Sequence, residues 1–258
     1  MTEAAIRVER RGGVVRCTLD RPPLNLLEPG LIGSLQATFE SLAADPTVRV
    51  AVVTGAGRAF TGGMDVRVLR DLDAESATRL ISALHDAIRA VHTAPFPVIA
   101  AVNGHALGGG FELALACDLR VAAAEATFGL PEVRVGVPSV IQAALLPPLV
   151  GPGRAAELLL TGARIGAEQA LAWGLVNRVV ERAGLEAAVE AMSAAITACA
   201  PGAIRRQKQL IVRWRESDLP TAVQAGIAVF AASYATGEPR EGASAFLEKR
   251  PPRFGESR

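Results

Sequence analysis

The sequence predicts an α/β fold, and three observations carry the prediction. Two nearly continuous apolar runs, RVAVVTG (49–55) and PVIAAVNG (97–104), each end in glycine, as buried parallel strands do. Between them, AESATRLISALHDAIRAVH (74–92) repeats apolar residues at helical spacing, so strand, helix and strand alternate on the scale of a βαβ unit. After about residue 138 the strand signals thin to one short candidate, VNRVV (176–180), and helical patterns take over.

The elements follow in chain order. AIRVERRGGVVRCTL (5–19) alternates apolar and polar residues on both sides of Gly12 and Gly13, which predicts an antiparallel hairpin. The two apolar strands and their intervening helix come next. The small-residue run after the second strand, LALAC (113–117), reads as a buried helix, and LRVAAAEATFG (119–129) as a short strand. Helices are then expected at GRAAELLLTG, AEQALAWG, GLEAAVEAMSAAITACA, AIRRQKQLIVRWRE, TAVQAGIAVFAASYATG and REGASAFLEKR. No repeat, low-complexity linker or composition break demands separate domains.

At 258 residues and 50% hydrophobic, the chain can bury a sizeable core. Its formal charge is +1, and lysine occurs only at Lys208 and Lys249, so no polyanion-binding face is expected and nucleic acid is not a predicted partner. Cys17, Cys117 and Cys199 form no CxxC pair, which argues against a zinc site or a disulfide framework and for a reducing compartment. MTEAAIRVERRGG lacks an apolar signal core and no uninterrupted apolar run approaches the roughly 20 residues that span a bilayer, so a cytoplasmic protein without a membrane partner is expected.

Two glycine-rich loops follow the two buried strands, which is where α/β sheets carry their sites. GAGRAFTGGMDV (55–66) is not a dinucleotide fingerprint, because the third glycine of GxGxxG would fall at Phe60, and neither loop is a P-loop. Glycines at strand-to-helix turns free backbone N–H groups to point at a ligand oxygen, and a helix N-terminus adds its positive end. One N–H from each loop would make an oxyanion hole, worth about 2.7–4 kcal/mol per donor. NGHALGGGFELALACDL (103–119) also sets a carboxylate, Glu112, inside an apolar run, where an unpaired charge is rare. A second carboxylate, Glu132, follows Pro131 in FGLPEVRVG, twenty residues on. A helix, a return strand and a turn of that length can bring both to one end of the sheet. Mutual repulsion would then raise at least one pKa, giving an acid and a base near neutral pH for proton transfer at adjacent carbons.

LDRPPLN, VVTGAGRAFTGGMD, PVIAAVNGHALGGGFELALACDLRVAA, ATFGLPEV, LTGARIGAEQALAWGLVNRVV and REGASAFLEKRPPRF, in this order, resemble the crotonases, the enoyl-CoA hydratase/isomerase superfamily, over almost the whole chain. The resemblance implies a ββα-spiral acyl-CoA-binding core over 1–195 and a helical C-terminal trimerisation region over 196–258, assembled as a trimer or a dimer of trimers. It implies that the N–H groups of Met64 and Gly109 form the oxyanion hole for an acyl-CoA thioester. It implies that Glu112 and Glu132 hold and activate water. Contacts to the substrate are implied for Leu24, Leu26, Ala59, Thr61, Gly62, Asp65, Val66, Leu107, Gly108, Pro131 and Ser139. Lys249 is implied near the CoA nucleotide, often across a subunit boundary. Coenzyme A is then part of the substrate, and no separate cofactor or metal is expected. Having both glutamates favours hydration of a 2-enoyl-CoA over isomerisation, hydrolysis, decarboxylation or lyase chemistry through the same enolate, and over a noncatalytic CoA- or RNA-binding relative.

The chain also departs from the hydratase pattern. VGVPSVIQAALLPPLVG (135–151) is about one residue short, lacks paired glycines and has Ser139 at a usual glycine position, and the RPPLN loop lacks a lysine. Plainer roles compete elsewhere: His105 reads as structural, Asp65 as a helix cap, and both lysines as solvated helix residues.

Overall fold

The computed structural model describes residues 5–254. The residues before and after these, including the start of the N-terminal segment and both outer ends of the two expected regions, lie outside the described part.

Strands β1 (Ile6–Arg11) and β2 (Val14–Leu19) form the expected antiparallel hairpin. Helix α1 (Pro29–Ala44) follows, then β3 (Val50–Gly55), β4 (Ala59–Thr61), α2 (Val66–Arg70) and α3 (Ala74–His92). The pattern repeats as β5 (Val98–Val102), β6 (His105–Leu107) and α4 (Gly109–Ala116). It begins a third time as β7 (Leu119–Ala123), β8 (Thr127–Gly129) and a 3-10 helix, Pro131–Val135. A second 3-10 helix, Gln142–Leu145, leads into α5 (Leu146–Val150), α6 (Pro152–Thr161), β9 (Arg164–Gly166), α7 (Ala167–Ala172) and β10 (Arg178–Val180). The chain closes with α8 (Leu185–Thr197), α9 (Pro201–Arg215), α10 (Leu219–Ser233) and α11 (Glu238–Leu247).

Each repeat deals its two strands to different sheets. The first strands join a six-stranded sheet in the order β1-β2-β3-β5-β7-β10, parallel except for the hairpin. The second strands form a four-stranded sheet, β4-β6-β8-β9, in which β9 alone runs antiparallel. Sharp turns allow the switch, and Asn103 clamps one of them by donating from Nδ2 to the carbonyls of Gly55 and Gly57.

The two-residue period of a strand sorts the core. Val50, Val52, Ile99, Ala101 and Val121 face Leu185, Val189 and Met192 of α8. Ala51, Val53, Val98, Ala100 and Ala122 face the larger cluster with Phe39, Leu84, Ile88 and Phe111 from α1, α3 and α4. The boundary expected between residues 195 and 196 therefore lies within α8, which covers the sheet before the chain turns into α9.

The structure departs from the sequence reading at several places, and the short elements β4, β6, α2 and α5 are among the additions. Helix α1 was not among the expected elements: Gly30 and Gly33 weaken its local signal, and burial of Leu31, Ile32, Leu35 and Phe39 supplies what propensity does not. The three-residue β9 was not expected either, and it is held by pairing to β8. LRVAAAEATFG is two strands in two sheets rather than one. Lys208 is not solvated. It is buried, with Nζ donating to both Asp118 carboxylate oxygens at 2.7 and 2.9 Å and to the His92 carbonyl at 2.7 Å, so it ties α9 to the end of α3 and the start of β7.

Candidate active site

The site forms where the glycine loops after β4 and β6 meet. Gly108 has φ +55° and Gly63 φ +86°, both in the left-handed region that glycine enters without steric cost. The fit is also too close for a side chain. A β-carbon on Gly63 would come within 2.6 Å of the Leu107 carbonyl oxygen, and one on Gly108 within 2.6 Å of Glu132 Oε1. Met64 follows the first loop and bridges to Leu27, while Gly109 opens α4. Gly108 N–H is taken by the Gly129 carbonyl, whereas among the described residues the N–H groups of Met64 and Gly109 have no acceptor. The first N–H groups of a helix have no partner within it, so that of Gly109 is free to bind an external oxygen.

Glu112 lies in the first turn of α4 and is 3% exposed. Its Oε1 accepts N–H bonds from Ile141 at 3.2 Å and Ala143 at 2.8 Å, which answers how a carboxylate survives in that apolar run. Burial pushes its pKa up to about 7, a shift the Ala143 N–H opposes and the nearby Glu132 charge reinforces. Glu132 sits in the 3-10 helix after β8, and burial raises its pKa as well, against the lowering effect of the Ser139 hydroxyl, which donates to Oε2 at 2.7 Å. The two carboxyl groups thus converge through a helix, two strands and a 3-10 turn.

Both glutamates, Met64 and Gly109 line one cavity of about 750 Å³. Gly62, Val66, Leu107, Gly108, Pro131 and Ser139 line it too. The other residues singled out from the sequence stand elsewhere. The Leu24 carbonyl accepts the Gly62 N–H at 2.8 Å, and Leu26 packs over Gly62, where a β-carbon would come within 3.0 Å of Leu26 Cδ2. Ala59 and Thr61 are fully buried in β4, the Thr61 hydroxyl accepting the Gly63 N–H at 3.1 Å. Asp65 caps α2 through the Arg67 N–H, and the Arg67 guanidinium holds its carboxyl below the usual range. Lys249 is exposed just past α11 and lines no part of this cavity. His105 Nδ1 lies 2.8 Å from the Thr127 hydroxyl. Among the described residues there is no cluster of three or more His, Cys, Asp or Glu suited to a metal, and no single helix is long and apolar enough to cross a membrane.

Sequence reasoning missed one wall of the cavity and the grip on Glu112. Leu69 and Leu72, with Ala77, Ile81 and Leu84 of α3, line the cavity together with Val135, Val137 and Val140. Leu84 repeats at helical spacing like any core residue, so no sequence signal separates cavity-facing from core-facing positions. The donors to Glu112 are main-chain N–H groups and leave no residue-type signature.

The family described as Enoyl-CoA hydratase/isomerase matches residues 9–257. The crotonyl-CoA hydratase of Syntrophomonas wolfei is 36% identical over 239 residues, covering 92% of each chain. The carnitinyl-CoA dehydratase of Escherichia coli K12 is 36% identical over 254 residues, covering 96% of this chain and 97% of its own. A crystal structure of an enoyl-CoA hydratase from Mycobacterium smegmatis superposes with a TM-score of 0.95 at 35% identity, covering 98% of this chain and 99% of that one.

Proposed function

Because the chain belongs to the enoyl-CoA hydratase/isomerase family, we propose that it adds water across the double bond of a 2-enoyl-CoA thioester to give a 3-hydroxyacyl-CoA. The observation that carries this reading is the convergence of a buried and a half-buried carboxyl group, both with raised pKa values, and two acceptor-free N–H groups on one cavity.

The thioester oxygen accepts from Met64 and Gly109 N–H, which lowers the energy of the enolate formed when water adds. Water attacks C3 as Glu112 takes one of its protons, and Glu132 delivers a proton to C2. The pKa shifts do not divide the labour, since burial raises both and takes Glu112 to about 7; the roles follow the family resemblance, with two N–H bonds on Glu112 Oε1 and the Ser139 hydroxyl on Glu132 Oε2 fixing where each carboxyl stands. Ser139 orients the acid, and the apolar walls exclude competing water. The test is a panel of enoyl-CoA thioesters followed by loss of the conjugated-thioester absorbance, with the product identified. A 3-hydroxyacyl-CoA is expected, and a product with a moved double bond, a free acid or a shortened acyl chain would replace hydration by another reaction of the same enolate.

The same reading includes assembly into a trimer or a dimer of trimers. Leu219, Val223, Ile227 and Phe230 form an exposed apolar stripe along α10 that Tyr234 continues at its C-terminal end, and Phe246 and Leu247 of α11 are exposed as well. Contiguous apolar surface of this kind is rare on a monomer. Light scattering at micromolar concentration is expected to give three or six protomer masses, and a stable monomer would count against this assembly.

A further inference from the structure

The turn that grips Glu112 has an anchor of its own. Its two donor N–H groups, on Ile141 and Ala143, flank Gln142. The segment leading in is irregular: residues 137–140 carry no helix or strand, and Ile141 has φ −99° and ψ −99°. The chain thus reaches Ile141 without a ladder of backbone bonds, and Ala143 stands in the first turn of a single short 3-10 helix, Gln142–Leu145. Gln142 is buried, at 9% exposure, and its Nε2 lies 3.3 Å from His85 Nδ1 on α3. Its Oε1 is buried with no hydrogen-bond partner. A buried orphan acceptor costs free energy that an apolar residue of similar size would not, so this oxygen adds nothing to stability.

We infer that the Gln142–His85 contact is a positioning device, holding the 141–143 turn against α3 so that both N–H groups stay on Glu112 Oε1. The inference rests on the hydratase reading for its effect on turnover, but not for its effect on Glu112 itself. Gln142 touches no reacting atom and acts through the carboxylate.

Four variants test it. Gln142→Leu removes both polar atoms while roughly keeping volume, and His85→Leu removes the partner. His85→Asn keeps a polar δ atom where His85 Nδ1 stands. With crotonyl-CoA, Gln142→Leu and His85→Leu are expected to lower kcat about 5- to 50-fold with KM changed less than about 2-fold, the size expected for a misplaced catalytic group. His85→Asn should recover most of that loss, and the double Leu variant should be no slower than either single one, because the two residues act as one unit. The Gln142→Leu melting temperature should equal or exceed the parent's, since the orphan acceptor is gone. Parental kcat in Gln142→Leu, or a fall in kcat that only tracks a fall in melting temperature, overturns the inference.

A readout independent of turnover separates this from the assigned reaction. Weaker N–H bonds to the Glu112 anion raise the pH at which it titrates. The carboxyl 13C resonance of Glu112 should therefore titrate at higher pH in Gln142→Leu than in the parent, and an unchanged midpoint overturns the inference. A parent that hydrates no enoyl-CoA, yet shows this shift on substitution, would remove the hydratase reading and leave the positioning role standing.

Discussion

Glu112→Gln and Glu132→Gln are each expected to lower the hydration rate by roughly 10²–10⁴, the range for loss of a positioned general acid or base. Folding should survive both changes. A glutamine at 112 still offers an oxygen to the Ile141 and Ala143 N–H groups, and at 132 it still offers one to the Ser139 hydroxyl. The stability of Glu112→Gln should depend on pH in a defined direction. The folded-state pKa of Glu112 is raised from 4.5 to about 7, so the folded protein binds this proton more tightly than the unfolded chain. The penalty for ionising Glu112 is absent below about pH 4.5, grows as pH rises, and is complete above about pH 7, where it amounts to about 3 kcal/mol at 1.4 kcal/mol per unit. Relative to the parent, Glu112→Gln should accordingly gain stability between those two pH values. Stopped-flow hydration assays and denaturant titrations at pH 4.5 and 8 check both halves. Near-parental turnover in either variant removes that residue from the mechanism.

Lys208→Met is expected to cost 3–5 kcal/mol of stability without touching the cavity. The Lys208 side chain is 2% exposed and that of Asp118 11%, so the substitution strands a nearly buried carboxylate. Among the described residues, the hydrogen bond left to the Asp118 carboxylate would be that from the Val98 N–H, at 2.8 Å. His92, whose carbonyl also accepts from Lys208, closes α3, so the loss reaches the helix that walls the cavity only at its far end. For a domain of this size each kcal/mol moves the melting temperature by about 2–4 °C, which makes a fall of roughly 10 °C the expected reading. The double variant Lys208→Met/Asp118→Leu should recover much of it, because removing both charges avoids the stranded one. A single-variant loss below 1 kcal/mol would mean that water reaches Asp118 and that the pair is not an anchor.

Local periodicity specifies much of this protein. The hairpin at Gly12 and Gly13, the strands β3 and β5 and the helix α3 were legible because apolar spacing and turn residues act over a few neighbouring positions. Glu112 and the glycine run were legible as an anomaly, a charge where burial was expected. Other features depend on contacts far apart in the chain. Lys208 sits on a helix whose pattern predicts solvent, and its burial follows from Asp118, ninety residues away. Helix α1 is held by the core its four large apolar residues enter, despite two interior glycines.

What the sequence by itself determined is the α/β class, the two glycine loops at strand ends and the two glutamates, since each is written in residue type and spacing. The tertiary structure alone decided that both carboxyl groups share one cavity, that Ile141 and Ala143 grip Glu112, and that Gln142 and His85 stand behind that grip. The physical reason is that a main-chain N–H is the same in nearly every residue, and burial is a property of what packs around a group. Neither is encoded at the position where it acts.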